Sequence, residues 1–314
     1  MSAYRRFGLD FNKYLEQGEK IDSDYKHLYY FGLGYLINGR GLVWKKGFEK
    51  YEIFEKTIGK IDLAYQSYYY EGLGYGVGQN VIYNQYEEPI SSINRIPENK
   101  RYYAYLGMAK LLEEKALPET NIYEIINAID KKYGKFFYHL IGKDILKRNR
   151  ELKKVIAFTE SLEDEEKEGV YRELGATLFK RLDCDILKFN KIIESFPKNS
   201  RIFLYEDAGE IIGFLNRNNV KNLQGLLKPL SESDKESLYR GIGRFAAERY
   251  GFNFEKYFDF IKEINPQYRT YCYKGVGTQI AFRFGGVPEV ANFIIDKSSP
   301  NIRPIIQKGF AEKS

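Results

Sequence analysis

The residues best suited to bind charge are five arginines, each placed six residues after a recurring glycine: Arg40, Arg148, Arg181, Arg249 and Arg283. A guanidinium group presents several N–H donors in one plane, which suits carboxylates and phosphates. The arginines are therefore predicted to bind a partner, one that carries acidic groups. The alternative is that each lies near the end of a helix, where a cation complements the helix dipole.

Candidates for catalysis or metal binding are few. The chain has two cysteines, Cys184 and Cys272, and two histidines, His27 and His139. No CxxC or HExxH spacing occurs, so a zinc site is not expected. The acidic segment 162–168 opens a predicted helix, where negative charge is favourable. We expect no metal, no cofactor and no catalytic residue, although carboxylates are available for a two-carboxylate hydrolase site.

Composition indicates a globular protein. The 314 residues are 43% hydrophobic and 29% charged, with a net charge of +6. No apolar run is long enough for a transmembrane helix, and the first thirty residues lack the apolar core of a secretion signal. With so few cysteines, a cytoplasmic protein is expected. The mild positive charge permits nucleic-acid binding without requiring it.

An internal repeat organises the chain. A tyrosine is followed by two residues, an apolar residue and a glycine eight times. The pairs are Tyr30 with Gly34, Tyr70 with Gly74, Tyr103 with Gly107, Tyr138 with Gly142, Tyr171 with Gly175, Tyr205 with Gly209, Tyr239 with Gly243, and Tyr273 with Gly277. Successive glycines are 33 to 40 residues apart. Such a period is typical of helical repeat proteins.

Each motif lies on a predicted helix. An apolar residue thirteen positions before the glycine is followed by a helix-capping residue, as in Leu162–Glu163 and Ile264–Asn265. In the third repeat Ile96 lies only eleven positions before Gly107, so two residues are expected to be missing there. The motif helices are predicted near 22–40, 62–80, 97–114, 130–148, 163–181, 197–215, 231–249 and 265–283. Tyrosine, apolar residue and glycine share one helix face, which is predicted to be buried.

Shorter helical stretches separate the motif helices, so the repeat is predicted to be an αα-hairpin. The fold class is all-α: an α-solenoid of about eight hairpins of about 34 residues, in one domain over 1–314. Residues 286–314 are predicted to form a C-terminal cap. Glycine inside a helix is costly, so the repeated glycine predicts close approach of a neighbouring helix. The Gly-x-Gly sequences lie inside these helices and do not predict a phosphate loop.

Two resemblances bear on function. The period and the two-helix unit resemble the tetratricopeptide class of α-solenoids, which implies a scaffold with a partner-binding groove. The segments YYYEGLGYGVG, LYRGIGRFAAERYG and YCYKGVGTQIAFRFGG are similar to an uncharacterised bacterial family encoded in enediyne biosynthetic gene clusters. That resemblance implies a bacterial origin and an accessory role in specialised metabolism.

The function expected from these features is a non-catalytic scaffold or adaptor that binds a protein or peptide through a groove. One alternative is an accessory protein or enzyme of bacterial biosynthesis that holds an apolar small molecule against the tyrosines. A further alternative is an RNA-binding helical repeat. A scaffold predicts exposed arginines on one face, whereas an enzyme predicts a closed cavity with converging carboxylates or His139.

Overall fold

The computed structural model describes residues 11–39, 58–81, 87–115, 119–148, 151–250, 254–285 and 288–312. All regular structure within these ranges is helical, and they contain no strand. The all-α prediction is therefore confirmed. Among the described residues, no helix combines the length and apolar character needed to cross a membrane.

Long and short helices alternate along most of the chain. The α-helices are α1 Phe11–Glu19, α2 Ser23–Gly39, α3 Leu63–Val81, α4 Glu87–Asn94, α5 Glu98–Lys115, α6 Glu119–Ala128, α7 Lys131–Arg148, α8 Leu152–Glu160, α9 Asp164–Arg181, α10 Ile186–Ile193, α11 Arg201–Leu215, α12 Asn222–Leu227, α13 Glu232–Tyr250, α14 Phe254–Lys262, α15 Pro266–Phe284, α16 Pro288–Asp296 and α17 Arg303–Ala311. A 3-10 turn, Lys198–Ser200, precedes α11. The eight motifs lie on α2, α3 and the odd-numbered helices from α5 to α15.

Local sequence explains where several helices begin. Asn265 caps α15, because its side-chain oxygen accepts from the Gln267 N–H at 3.2 Å and Pro266 follows at the first helical position. At α9 the Glu163 N–H donates to the Glu166 carboxylate at 3.0 Å, which forms part of a capping box. Both helix starts agree with the capping residues expected from the sequence.

The chain divides into two compact units, Met1–Tyr133 (unit 1) and Gly134–Ser314 (unit 2). The core of unit 1 is rich in fully buried tyrosines, such as Tyr69 and Tyr70. In unit 2, phenylalanines from short and long helices join the core, as in the edge-on contact of Phe179 with Phe189 at 5.3 Å. Each unit thus buries the face that its motif helices share.

Motif glycines bring successive long helices into backbone contact. We number each motif from its glycine, position 0. A Cβ atom on Gly74 would overlap the carbonyl oxygen of Ala104, and one on Gly243 would overlap that of Cys272. Gly34, Gly142, Gly175 and Gly209 make the same kind of contact with the next long helix, and Gly277 makes it with α17. Any side chain at these positions would push two helix backbones apart, which explains the repeated glycine.

The third motif helix, α5, lies in a register different from the expected one. Gly107 faces the preceding helix, where its Cβ would overlap the Glu71 carbonyl oxygen. Gly72, Gly241 and Gly275 make this backward contact from position −2. In α5, position 0 is therefore Ala109, and Ile96 lies thirteen residues before it. No residues are missing from this repeat.

The C-terminal segment continues the register. A Cβ atom on Gly309 of α17 would overlap the carbonyl oxygen of Lys274 in the preceding motif helix. A Cβ atom on Gly277 of α15 would overlap the carbonyl oxygen of Ile306 in the following one. Ala311 then takes position 0 of α17. The segment predicted as a cap thus packs on α15 as a further motif helix.

Candidate functional site

The five arginines predicted to bind a partner do not share one environment. Arg40 lies outside the described residues, and Arg148 is the last residue of α7. Arg181 and Arg249 are exposed near the ends of α9 and α13. Arg283 is only 6% exposed; its Nη1 lies 3.5 Å from the Glu248 carboxylate. The two exposed arginines can meet a partner, whereas Arg283 is buried and pairs with the exposed Glu248 within the chain.

A second set of arginines, which sequence reasoning missed, ties the long helices α5, α11 and α15 to the segment that ends the preceding short helix. These arginines occupy position −8 and donate from Nε to the backbone carbonyl at position −13. The distances are 2.8 Å for Arg101 to Ile96, 3.0 Å for Arg201 to Phe196 and 2.8 Å for Arg269 to Ile264. The signal was an arginine five residues after the apolar residue that precedes each of these three helices. Cations at helix C-termini satisfy carbonyls that lack an intrahelical partner.

The motif tyrosines are part of the core, with hydroxyl groups that reach polar partners. At position −4, Tyr30 donates to Glu19 at 3.3 Å, Tyr105 to Asn94 at 3.0 Å and Tyr171 to Glu160 at 2.6 Å. All three acceptors lie at position −15. Burial and the hydrogen bond to Glu160 raise the pKa of Tyr171, so its hydroxyl stays a donor. In α5 the residue with this geometry is Tyr105, and Tyr103 is buried beside it.

Unit 2 contains a cluster of buried and partly buried charges on α9, α11 and α13. We call Arg172, Glu206, Asp207, Glu210, Arg240 and Arg244 the charged cluster. Glu206 is 1% exposed; its two carboxylate oxygens lie 2.9 Å from Arg172 Nη1 and 3.3 Å from Arg240 Nε. Arg244 contacts Asp207 at 3.1 Å and Glu210 at 2.8 Å. The cluster thus links three consecutive long helices through paired charges.

Burial controls the protonation of this cluster. It raises the pKa of Asp207 well above its ordinary value, against the opposing effect of the Arg244 guanidinium. Burial also raises the pKa of Glu210. Each carboxyl group already contacts a guanidinium. Chemically, the arrangement holds helices in register through ion pairs, and Asp207 and Glu210 are poised to take up protons at a higher pH than ordinary carboxyl groups.

Unit 1 carries a different set of side chains at the same helix positions. Glu71 is buried and pairs with Lys110 Nζ at 2.7 Å. Tyr75 donates to Glu114 at 2.5 Å, and its ring contacts that of Phe31 at 5.4 Å. Burial and the hydrogen bond to Glu114 raise the pKa of Tyr75 to about 12. Aromatic contacts and one ion pair here replace the network of unit 2.

The histidines and cysteines each have their own local surroundings. The His27 ring packs on Tyr68 at 5.3 Å, and His139 is partly buried on α7. Cys272 is buried, and burial raises the pKa of its thiol, which keeps it protonated. Cys184 follows α9 with positive φ angles at itself and Asp183. Within the described ranges, no group of three or more metal-ligating side chains converges.

A cavity of about 670 Å³, the edge cavity, opens at the C-terminal ends of α11 and α13. It is lined by Arg217, Asn218, Asn219, Val220, Lys221, Tyr250, Lys256, Asp259, Phe260 and Glu263. Arg217 donates to the Phe214 carbonyl at 2.8 Å and lies over the Phe214 ring, which is 49% exposed. The lining has three cationic and two acidic side chains, so it is mildly positive. Arg249 precedes Tyr250 at this edge.

Comparisons with protein-family models, with curated proteins and with solved structures gave no match to this chain. The tetratricopeptide and enediyne-cluster resemblances are therefore interpretations of the sequence alone. The functional argument consequently depends on the geometry of the residues described above.

Proposed function

We propose that the chain is a non-catalytic helical-repeat scaffold that binds an acidic segment of a protein or peptide partner. The architecture proposed with it is an α-solenoid of hairpins about 34 residues long, in which each hairpin buries its face against the next. Such arrays bind partners through extended surfaces built by successive repeats.

The edge cavity is the observation that supports this proposal. Its volume falls in the range of known binding pockets. Arg217, Lys221 and Lys256 supply cationic groups, and the exposed Phe214 ring, over which Arg217 lies, adds apolar surface. A partner that alternates carboxylates with apolar side chains would satisfy both. Arg249 extends the positive surface at the same edge.

The motif tyrosines favour this proposal over a small molecule held by the tyrosine stripe. Of the eight tyrosines named from the sequence, seven are buried: Tyr30, Tyr70, Tyr103, Tyr171, Tyr205, Tyr239 and Tyr273. Rings that are already covered by neighbouring side chains supply packing energy to the fold. A ligand would have to displace that packing in order to reach them.

The test is selection of a displayed random peptide library against the protein, followed by affinity measurements on an enriched peptide. We expect enriched sequences to combine Asp or Glu with apolar residues. The double variant Arg217→Glu/Lys221→Glu should weaken binding by about tenfold or more, and Arg181→Glu/Arg249→Glu tests the exposed arginines in the same way.

The matched control is Lys153→Glu/Lys198→Glu, which reverses the same number of exposed charges elsewhere in unit 2. It should change affinity by less than about twofold. Equal losses in all three variants would indicate a general charge effect and contradict the edge cavity as the site. Enrichment of no peptide, together with tight and strongly salt-dependent binding of RNA, would support the RNA-binding alternative instead.

A further inference from the structure

The first motif helix, α2, has an apolar face that no described residue covers. Tyr25 and Leu28 are 61% and 57% exposed, at positions −9 and −6. Gly32 lies on the same face at position −2, and among the described residues nothing comes within 4 Å of where its Cβ would be. These three residues form the α2 face.

The same positions are covered in the next two motif helices. At position −6, Tyr68 of α3 is 7% exposed and Tyr103 of α5 is 1% exposed. Gly72 and Gly107, at position −2, both touch the backbone of the preceding long helix. The α2 face therefore has the residue types of a helix-packing surface, including the glycine that permits close approach, and no helix of the described ranges covers it.

The last described motif helix, α17, presents a different surface. Motif helices contact the following helix through positions −4, −3, 0 and +1. In α17 these positions hold Gln307, Lys308, Ala311 and Glu312, and all four residues are exposed. In α2 the equivalent positions are Tyr30, Phe31, Gly34 and Tyr35. A polar outer face is what a terminal repeat requires in water. The α2 face lacks this protection.

We infer that the α2 face packs against the same face of a second copy of this chain, in a twofold symmetric dimer. Symmetric pairing places apolar residues of one copy against apolar residues of the other. Head-to-tail pairing would instead place Leu28 against the polar surface of α17. The glycine at position −2 allows the two helices to approach closely, as Gly72 does within the chain.

The dimer is expected to be weak. A helix of 17 residues is about 26 Å long, and one helix pair buries less area than a standard stable interface. We expect a dissociation constant at the weak end, in the micromolar range. This inference is independent of the proposed partner binding.

Sedimentation equilibrium from low-micromolar to several-hundred-micromolar protein tests the inference. The wild type should fit a monomer–dimer equilibrium. Leu28→Glu should raise the dissociation constant by about tenfold or more, because it places charge in the interface. Leu187→Glu is the matched control: Leu187 is 58% exposed on α10, and its substitution should leave the equilibrium unchanged.

A second variant separates dimer loss from misfolding. Gly32→Leu meets open space within the chain, so the monomer should keep its unfolding temperature at low concentration while the dimer weakens. A wild type that stays monomeric throughout the range would overturn the inference. So would a dimer equally sensitive to Leu28→Glu and Leu187→Glu, or open-ended growth beyond the dimer, which would indicate head-to-tail pairing.

Discussion

The two units share one helix register but use different side chains where successive long helices face each other. Position −3 holds Phe31, Glu71 and Leu106 in unit 1, and in α7 to α15 of unit 2 it holds His139, Arg172, Glu206, Arg240 and Lys274. Glycine contacts between backbones occur in both units and involve no side chain. The comparison teaches that backbone contact defines the repeat, which leaves position −3 free to vary in chemistry.

This variation affects how strictly each long helix selects the helix that packs against it. In unit 1 Tyr75 contacts the rings of Phe31 and Tyr35 at 5.4 and 5.6 Å, and aromatic contacts tolerate small shifts. In unit 2 the buried Glu206 is held between Arg172 and Arg240, so a shifted helix would leave buried charge unpaired. The charged cluster thus penalises wrong pairings of helices more than the aromatic contacts do.

We expect the two units to differ most in how much stability they lose when one buried carboxylate is removed from each. We expect Glu206→Gln to lower the free energy of unfolding by about 3–5 kcal/mol, because buried guanidiniums lose their partner. Glu71→Gln should cost only about 1–2 kcal/mol, since Lys110 is partly exposed and can be hydrated. Urea denaturation monitored by circular dichroism measures both. Equal losses would show that the two units treat buried charge alike.

Glycine substitutions should affect the units equally. Gly74→Ala and Gly243→Ala should each cost about 3 kcal/mol, because the added methyl group meets a backbone carbonyl that cannot move alone. The control is Gly225→Ala in α12, where the Cβ meets open space and helix propensity should add about 0.5–1 kcal/mol of stability. If Gly74→Ala or Gly243→Ala leaves the free energy of unfolding as high as Gly225→Ala does, close backbone contact is not what requires glycine at that position.

Acidic pH should affect the contributions of Asp207 in unit 2 and Glu98 in unit 1 in opposite directions. The native pKa of Asp207 lies above the ordinary 3.8, so the native state binds more protons than the unfolded state between those values. The contribution of Asp207 is therefore present below pH 3.8 and is lost as pH rises through the native pKa. In unit 1 the hydrogen bond from Lys132 at 2.6 Å lowers the pKa of Glu98 below 4.5. The contribution of Glu98 is present above pH 4.5 and is lost as pH falls through its lowered pKa.

Urea denaturation at a series of pH values checks both directions. As pH rises above 3.8, the wild type should lose the contribution of Asp207 to its free energy of unfolding, and Asp207→Asn should not show this loss. As pH falls below 4.5, the wild type should lose the contribution of Glu98, and Glu98→Gln should not show that loss. Parallel curves for Asp207→Asn and wild type would mean that Asp207 has an ordinary pKa in the folded protein.

The smallest effects are expected at the exposed arginines near helix ends. Arg181→Ala and Arg249→Ala should each cost about 0.3–1 kcal/mol, the usual size of helix-dipole complementation. Thermal unfolding at low and high salt measures this, and salt should reduce the difference from wild type. A loss as large as that of Glu206→Gln would place these side chains in a structural role that their exposure does not suggest.

Local sequence signals predicted the helices well. Capping residues such as Glu163 and Asn265 act within one turn, and the glycine signal reflects a cost that only close packing can offset. The register of α5 was harder, because Tyr103–Gly107 matches the motif in letters. The contact of Gly107 with Glu71 assigned it to position −2. The position of Ile96, thirteen residues before Ala109, was the available clue.

The sequence by itself determined the helical class, the repeat and the buried tyrosine–glycine face, since these depend on periodicity and on residues a few positions apart. Only the tertiary structure decided that Arg172, Glu206 and Arg240 form one network and that Arg283 is buried while Arg181 is exposed. The three members of that network are spaced by 34 residues each, so opposite charges one repeat apart were visible in the sequence. Their burial and pairing depend on how closely neighbouring helices cross, which is set by contacts between residues distant along the chain.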